Sequence, residues 1–218
     1  PDAFSQCHYL ESLYVPASLT SIPLGSFNGC RRLKSIVVDE ANTMYDSRNN
    51  CNAIIETATD TLIRGCMNTI VPEDVVCIGH CAFAECLGLE EILIPDAVHT
   101  IGNYALAAIH LRTITLGSGL KSMGSFPFGD MRWSIQPAKP LNSIVFKGSV
   151  PPVFEDQSGF SSLMHSYVQL VVPEGSLAAY QSTDVWKDFA HITEGEGAVE
   201  FEYDGICYRI VIGNDSAM

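Results

Sequence analysis

The sequence predicts a solenoid, in which the chain winds into stacked coils that share one core. The first observation is a repeat: Phe4 recurs 23 residues later as Phe27. The same step carries Cys7 onto Cys30, Leu10 onto Leu33, Leu13 onto Ile36 and Val15 onto Val38. The second is a repeated tail, seen as Pro16-Leu19-Ile22, Pro72-Val75-Ile78 and Pro95-Val98-Ile101. A period of about 20–29 residues built on leucine-like positions is typical of a leucine-rich repeat.

Each repeat unit predicts one short strand. Leu13 and Val15 alternate with Ser12 and Tyr14, the pattern of a strand with one buried face. Pro16 follows because proline cannot donate to the strand ladder. Strands of successive coils would form one parallel sheet at a spacing of about 4.8 Å, with turns and short helices opposite. The predicted fold class is therefore an α/β-type, β-rich leucine-rich-repeat solenoid of roughly seven or eight coils.

The other repeated positions fill the coil behind the strand. Ala82 and Phe83 would occupy the space between coils, on the side away from the strand. Gly79, after Ile78, would allow a tight corner. Two stretches depart from the pattern, residues 39–71 and residues 124–169. In the second stretch, Leu141, Ile144 and Phe146 restore the strand, Phe128 takes the place of the inter-coil phenylalanine, and Pro137–Pro140 and Pro151-Pro152 indicate loops.

The C-terminal part predicts a cap and a hairpin. Leu170–Pro173 is a last strand of the repeat type, and Ser176 is a helix-capping residue. An amphipathic helical segment, in one or two pieces, is indicated by the spacing of Leu177, Tyr180, Trp186, Phe189 and Ile192. The solenoid is therefore expected to span residues 1–193, with residues 173–193 as its capping segment. Residues 194–218 are expected to form a hairpin tail or to begin a further module, because alternating residues precede Asp204-Gly205.

Charge and hydropathy exclude several partners. The formal net charge is −13, which disfavours nucleic acid and anionic lipid because both bind basic surfaces. No apolar run is long enough to cross a membrane. The chain opens in mid-unit, because Pro1-Asp2-Ala3-Phe4 lacks the Ile-Gly pair that precedes other units. We therefore expect a fragment of a longer protein, with any export signal or anchor outside it.

The repeat units resemble those of the BspA-like leucine-rich-repeat family of bacterial surface proteins. The resemblance covers roughly residues 1–193 and rests on residues 2–16, 78–102 and 172–176, with the irregular stretch from Cys51 similar to a variant unit of such arrays. It implies an extracellular or cell-surface location and binding to a host, matrix or other microbial surface protein. It implies no catalytic residues and no cofactor, and it leaves the oligomeric state open.

The exposed face of the predicted sheet is the candidate binding surface. Two outward columns follow from the repeat. The first contains Ser12, Ser35, Glu91, Thr113, Ser143 and Gln169, and the second contains Tyr14, Val37, Leu93, Thr115, Val145 and Val171. An apolar stripe facing solvent is typical of an interaction site. The alternatives are that β-branched residues merely favour strands, or that the stripe contacts another copy or the tail hairpin.

The cysteines allow several interpretations. Cys7, Cys30 and Cys86 share one repeat position, which favours buried packing of thiols, although neighbouring coils would also place Cys7 and Cys30 close enough for a disulfide. Cys51 and Cys66 form a second conceivable bridge. A zinc site is a weaker alternative, suggested by the proximity of Cys77, His80, Cys81 and Cys86. The repeat disfavours it, because Cys86 occupies a core position.

The predicted function is non-catalytic protein binding or adhesion by a bacterial surface or secreted protein. The first alternative is a structural spacer that holds another module away from the cell. The second is a zinc-dependent or other hydrolase, which is disfavoured because no Ser-His-Asp or Cys-His set follows from the repeat positions. Aromatic positions such as Tyr14 are the expected centres of binding energy.

Overall fold

The computed structural model describes residues 4–107, 110–129, 141–155, 159–160, 162–195, 198–203 and 206–211. These residues form a β-solenoid of about seven turns with few helices. The strands are β1 Ser12–Val15, β2 Ser35–Val38, β3 Tyr45–Asp46, β4 Ala53–Glu56, β5 Thr61–Gly65, β6 Cys77–Ile78, β7 Glu91–Ile94, β8 Thr100–Ile101, β9 Thr113–Leu116, β10 Ser122–Met123, β11 Ser143–Phe146, β12 Val153–Phe154, β13 Gln169–Val172, β14 His191–Glu194, β15 Ala198–Tyr203 and β16 Ile206–Val211. The helices are α1 Ser162–Tyr167 and α2 Leu177–Ser182, and two 3₁₀ turns span Arg48–Asn50 and Trp186–Asp188.

The predicted parallel strands form in the predicted register. We call them the outer sheet, which has two parts: the pair β1-β2, and the five strands in the order β7-β9-β11-β13-β14. Leu13 pairs with Ile36 and Ile92 pairs with Ile114. Residues one repeat apart are thus paired in the sheet. In each strand, the residues at the positions of Leu13 and Val15 face the core.

A second sheet lies on another face of the solenoid, where the sequence predicted only turns and short helices. Its order is β12-β10-β8-β6-β5-β4-β3. The tail of each coil contributes a two-residue strand, with Ile78, Ile101 and Met123 buried at equivalent positions. The irregular stretch 39–71 joins this sheet through β3, β4 and β5, which pair antiparallel. Such short strands leave no signal in the sequence, because a period-2 pattern needs more than two residues.

The apolar interior consists of two main clusters that meet at β4. Ile54 belongs to the cluster beneath β1 and β2, together with Leu13, Phe27 and Ile36. Its neighbour Ile55 belongs to the larger cluster beneath the following coils. Successive side chains of a strand point to opposite faces, so β4 is a wall with one core on each side.

The phenylalanine positions between coils behave as the repeat predicts. The Phe4 and Phe27 rings stack with centroids 5.7 Å apart, and Phe83 is fully buried. Phe128 stacks on Phe160 with ring centroids 5.3 Å apart. Pro127, the residue before Phe128, is also joined to the preceding coil, because its carbonyl accepts from the Leu106 N–H at 2.9 Å. At this position, aromatic rings therefore stack between neighbouring coils at two places, Phe4 on Phe27 and Phe128 on Phe160.

Glycine after the coil isoleucine is explained by close backbone approach. A Cβ atom on Gly102 would lie 2.8 Å from the His80 nitrogen and 2.9 Å from the Gly79 carbonyl carbon. A Cβ on Gly124 would likewise lie 2.7 Å from the Asn103 nitrogen. Successive coils are thus packed backbone to backbone at this corner, leaving no room for a side chain.

The capping segment differs from the prediction at its end. Helix α2 ends at Ser182, and Ile192, which we assigned to a helical segment, lies in β14 instead. Residues of β14 pair in parallel with β13, Leu170 opposite Ile192, so the segment completes one more coil. The spacing of the apolar residues was compatible with both structures. Between α2 and β14, Trp186 is buried and packs on Phe146 with ring centroids 5.0 Å apart.

The C-terminal tail, for which we predict a hairpin or the start of a further module, contains two paired strands. Strands β15 and β16 pair antiparallel, with Tyr203 opposite Ile206, while Asp204 and Gly205 lie outside the described residues. The predicted loop Pro137–Pro140 also lies outside them. Within the described part of the chain, no helix is both long and apolar enough to cross a membrane.

Candidate binding surface

The structure brings the two predicted outward columns together on the outer sheet. Ser12 pairs with Ser35 and Tyr14 with Val37 in β1-β2. In the five-stranded part, the first column continues as Glu91, Thr113, Ser143 and Gln169, and the second as Leu93, Thr115, Val145 and Val171. Strand β14 adds His191 and Thr193 to the columns. Sequence analysis missed these two residues because it placed the end of the cap in a helical segment.

The N-terminal part of the surface is open to solvent. Tyr14 is 58 % exposed, Val37 50 % and Leu93 48 %. Ser12 and Glu91 are also exposed, and Ser35 is half-buried. These side chains point away from the core because they alternate with the buried residues of each strand. Their apolar surface is therefore exposed to solvent.

The C-terminal part of the columns is not an open face. The expectation of exposure fails for Thr113, Ser143, Val145 and Val171, which are all buried. Thr115 and Gln169 are half-buried. Hydrogen bonds use the polar groups of this part: Ser143 Oγ donates to Thr113 Oγ1 within the first column at 3.1 Å, and Gln169 Nε2 donates to Thr193 Oγ1 of the second column at 2.9 Å. The candidate surface is therefore restricted to the N-terminal coils.

Ile70 is a further member of the surface that sequence analysis missed. It is 79 % exposed and lies two residues ahead of Pro72, as Tyr14 lies ahead of Pro16 and Leu93 ahead of Pro95. Its coil lies between those of β2 and β7. The Met67 N–H donates to the Leu33 carbonyl at 3.1 Å, and Gly88 lies against the Met67 side chain. The position relative to proline was the available signal.

Tyr14 is held in place by an acidic neighbour. Its hydroxyl donates a hydrogen bond to Asp39 Oδ2, and Asp39 Oδ1 accepts from the Ala41 N–H at 2.9 Å. The hydrogen bond to the carboxylate raises the pKa of Tyr14 above its ordinary value and lowers the pKa of Asp39. At neutral pH the ring is therefore uncharged and its edge lies beside a negative charge.

The seven cysteines from Cys7 to Cys86 are all free thiols. Neither Cys7–Cys30 nor Cys51–Cys66 forms a disulfide: Cys30 Sγ donates to the Phe4 carbonyl at 3.2 Å and Cys66 Sγ to the Asn52 carbonyl at 3.4 Å. Burial raises the pKa of Cys86, as it does for Cys30 and Cys66. Among the residues the structure describes, no cluster of three or more His, Cys, Asp or Glu side chains could hold a metal ion.

The parallel register, the two sheets and the stacked inter-coil aromatics define the class of the protein, a leucine-rich-repeat solenoid. Six copies of the BspA-type leucine-rich-repeat region match residues 1–59 and 64–147. The chain belongs to this family. No curated protein matches it significantly.

Three solved structures are similar to the chain, and the first of them supports the fold. A leucine-rich-repeat protein from Eubacterium ventriosum ATCC 27560 is 18 % identical with a TM-score of 0.57, over 84 % of this chain and 48 % of that one. A leucine-rich cell surface protein from Faecalibacterium prausnitzii A2-165 is 20 % identical with a TM-score of 0.49, over 79 % and 50 %. The pneumococcal vaccine antigen PcpA is 18 % identical with a TM-score of 0.45, over 86 % and 56 %. The chain thus spans about half the length of these structures.

Proposed function

We propose that the chain is a non-catalytic protein-binding module of a bacterial cell-surface or secreted protein. Binding would use the N-terminal part of the outer sheet. One observation carries the proposal. The same outward position in four successive coils is occupied by an exposed apolar residue: Tyr14, Val37, Ile70 and Leu93. An apolar stripe that runs across several coils is typical of an interaction site.

The chemistry of the stripe suits a protein partner. Tyr14 provides a large ring with a polar end, the kind of side chain that is enriched at interface hot spots. The aliphatic residues Val37, Ile70 and Leu93 provide shallow contacts, and Ser12 and Glu91 form a polar margin beside them. Family membership supports the surface location, because BspA-like repeats resemble those of bacterial surface proteins.

The test compares two Leu→Asp variants. Leu93→Asp places a charge in the stripe, whereas Leu24→Asp makes the same change at a residue that is 72 % exposed and lies outside the outer sheet. Binding of the labelled chain would be measured on a panel of immobilised matrix proteins and on epithelial cells. We expect Leu93→Asp and Tyr14→Ala to cost at least about 2 kcal/mol of binding free energy, the size of a hot-spot effect. Thermal unfolding of Leu93→Asp should be unchanged.

The control separates the binding role from the spacer role. A binding module predicts that Leu24→Asp leaves binding unchanged. If Leu93→Asp also binds like the wild type, while removal of whole coils alters the function of the full-length protein, the chain is a spacer. Equal losses for Leu24→Asp and Leu93→Asp would mean that general surface charge, not the stripe, governs adhesion.

A further inference from the structure

A cleft lies beside β2, at the edge where the outer sheet is interrupted. Its cavity volume is about 510 Å³, within the range of about 300–1,000 Å³ that is usual for ligand sites. One wall is formed by residues 36–40, and the other by the irregular stretch between Tyr45 and Asn52. Val37, a member of the apolar stripe, lies at the rim where the cleft meets the open face.

The wall formed by β2 is a strand edge. The N–H groups of Ser35 and Asp39 point toward β1, since they donate to the carbonyls of Glu11 and Val15 at 3.2 and 2.9 Å. Alternate residues of a strand direct their backbone groups to opposite edges, so the backbones of Ile36 and Val38 face the cleft. The Ile36 carbonyl indeed accepts a hydrogen bond from Ser47 Oγ across the cleft, at 3.3 Å.

No second described strand pairs with this edge, but its N-terminal end is occupied, because the Lys34 carbonyl accepts from Asn68 Nδ2 at 3.1 Å. The open part of the edge is therefore at Val38. Among the described strands, only β1 pairs with β2. The irregular stretch turns away to join the second sheet through β3 and β4. An unpaired strand edge is a template for another strand, and here it is recessed in a cleft, where an added segment would be held on both sides.

The opposite wall presents amide groups. Asn49, Asn50 and Asn52 have φ angles of 57°, 53° and 55°, a left-handed conformation that asparagine adopts more readily than other residues with a side chain. Asn49 and Asn50 are exposed, and no hydrogen bond joins their side chains to another described residue. Each amide offers both donors and an acceptor, which is suited to contacts with a peptide backbone.

The cleft is negatively charged. Its lining contains Asp39, Glu40 and Asp46 against a single cation, Arg48. Arg48 is already engaged, because it donates to Asp46 at 2.7 Å and also to two carboxylates beyond the cleft, Asp60 at 2.7 Å and Asp74 at 2.8 Å. Glu40 is exposed at the end of β2, where it can meet the side chain of an incoming strand.

We propose that this cleft binds an extended, basic segment of a protein partner, which adds as a strand to the free edge of β2. In this mode backbone hydrogen bonds supply affinity and alternate side chains supply specificity. The backbone of Val38 would pair with the segment, Asp39 and Glu40 would attract its arginine or lysine side chains, and the asparagine wall would contact its outer edge. The inference rests on the proposed binding function and names the chemistry of the partner.

The first test uses a blocked hexapeptide of alternating arginine and valine, with binding measured by fluorescence anisotropy. Two matched peptides carry N-methyl groups on every second backbone nitrogen, one peptide in each of the two possible registers. Methylation removes the N–H donors that strand pairing needs. We expect the peptide whose methyl groups lie on the nitrogens that face β2 to bind roughly tenfold more weakly, the effect of losing about two hydrogen bonds. The peptide methylated in the other register should bind like the unmethylated one, because its methyl groups lie on the opposite edge, and a glutamate-for-arginine peptide should not bind. Equal affinity of the unmethylated peptide and both methylated peptides would overturn strand addition.

The second test locates the site. Glu40→Lys should weaken binding of the hexapeptide roughly tenfold by reversing one close charge. Glu174→Lys is the matched control, since it makes the same change in charge at an exposed residue of a C-terminal coil. The peptide should also slow amide hydrogen exchange at Val38. An unaffected Val38, or equal losses for the two variants, would place the peptide elsewhere and contradict the inference.

Leu93→Asp distinguishes this inference from the proposed function. It lies outside the cleft lining, so hexapeptide affinity should be unchanged while adhesion is lost. If the hexapeptide fails to bind the wild type and Leu93→Asp still abolishes adhesion, the cleft inference is wrong and the proposed function stands. If the hexapeptide binds at Val38 and Leu93→Asp leaves adhesion intact, the apolar stripe is not the adhesive surface.

Discussion

Arg31 Nε donates a hydrogen bond to Glu85 Oε2 at 2.6 Å, and both side chains are buried between coils. A second buried guanidinium lies nearby: Arg64 donates to the Ala84 carbonyl at 3.0 Å and to the Cys30 carbonyl at 3.5 Å. Glu85 is thus the carboxylate beside two buried cations, and it joins a coil of the first core to a coil of the second.

Glu85→Gln is therefore expected to destabilise the fold strongly. The variant removes the negative charge and leaves the Arg31 guanidinium buried without its counter-charge, and breaking a buried ion pair in this way typically costs about 3–5 kcal/mol. The measurement is urea unfolding followed by circular dichroism. Glu174→Gln, the same change at an exposed position, should stay within about 0.5 kcal/mol of the wild type. A Glu85→Gln variant as stable as that control would mean that the ion pair contributes nothing.

Ile54→Ala and Ile55→Ala should destabilise different parts of the chain. Both side chains are fully buried, so each substitution is expected to cost about 2–5 kcal/mol. Because Ile54 faces the first core and Ile55 the second, native-state hydrogen exchange should quicken mainly in β2 for Ile54→Ala and mainly in β7 for Ile55→Ala. The same exchange pattern in both variants would contradict two cores separated by β4.

Gly102→Ala tests the backbone contact between coils. The added Cβ would meet the backbone of Gly79 and His80, which cannot move aside without shifting a whole coil. We expect a cost of about 1–3 kcal/mol, typical of overpacking, measured by thermal unfolding. Lys121→Ala, at an exposed side chain of a later coil, is the control and should change stability by less than about 0.5 kcal/mol. A neutral Gly102→Ala would show that the coils can separate at this corner.

The hydrogen bond between Tyr14 and Asp39 should be visible in their titration. Since it lowers the pKa of Asp39, its stabilising effect is present above the ordinary pKa of about 3.9 and is lost as the pH falls through the lower folded value. For Tyr14 the raised pKa means that stabilisation is present below about pH 10 and is lost as the pH rises further.

Tyr14→Phe should accordingly raise the pKa of Asp39 toward its ordinary value. Carboxyl chemical shifts recorded by NMR between low and neutral pH measure the change. Tyr9→Phe is the control, because Tyr9 is 78 % exposed and contacts Arg32 rather than Asp39. An Asp39 titration curve that is identical in Tyr14→Phe and the wild type would show that the bond does not persist in solution.

The sequence predicted the columns of the outer sheet because strand register in a solenoid equals the repeat step. Tyr14, Val37 and Leu93 could therefore be placed on one face from spacing alone. It did not predict that Val145 and Val171 are buried, since burial of an outward residue depends on packing outside its own coil. Ile192 was misassigned for another reason: apolar spacings of three fit both a helix and the step from a turn into a strand.

The cleft could not be predicted from the sequence, although the stretch that contains its residues was recognised as irregular. Asn49, Asn50 and Asn52 occupy the irregular stretch, where no template position fixes the direction of a side chain. Their left-handed φ angles occur where this stretch leaves the outer sheet to form β3 and β4. The repeat thus determines what recurs, whereas the interruption of the repeat creates the recess.

The position of β4 between two cores has a consequence for how such an array can change in length. Duplication or loss of coils in the gene on one side of Ile54 and Ile55 leaves the apolar packing on the other side untouched, because neither main apolar cluster crosses the strand, provided that the coils bearing the Arg31–Glu85 ion pair are kept. The irregular unit therefore separates two parts of the array that can change in length independently. The segment that bears the acidic cleft is kept while coils are added to or lost from the remainder of the array.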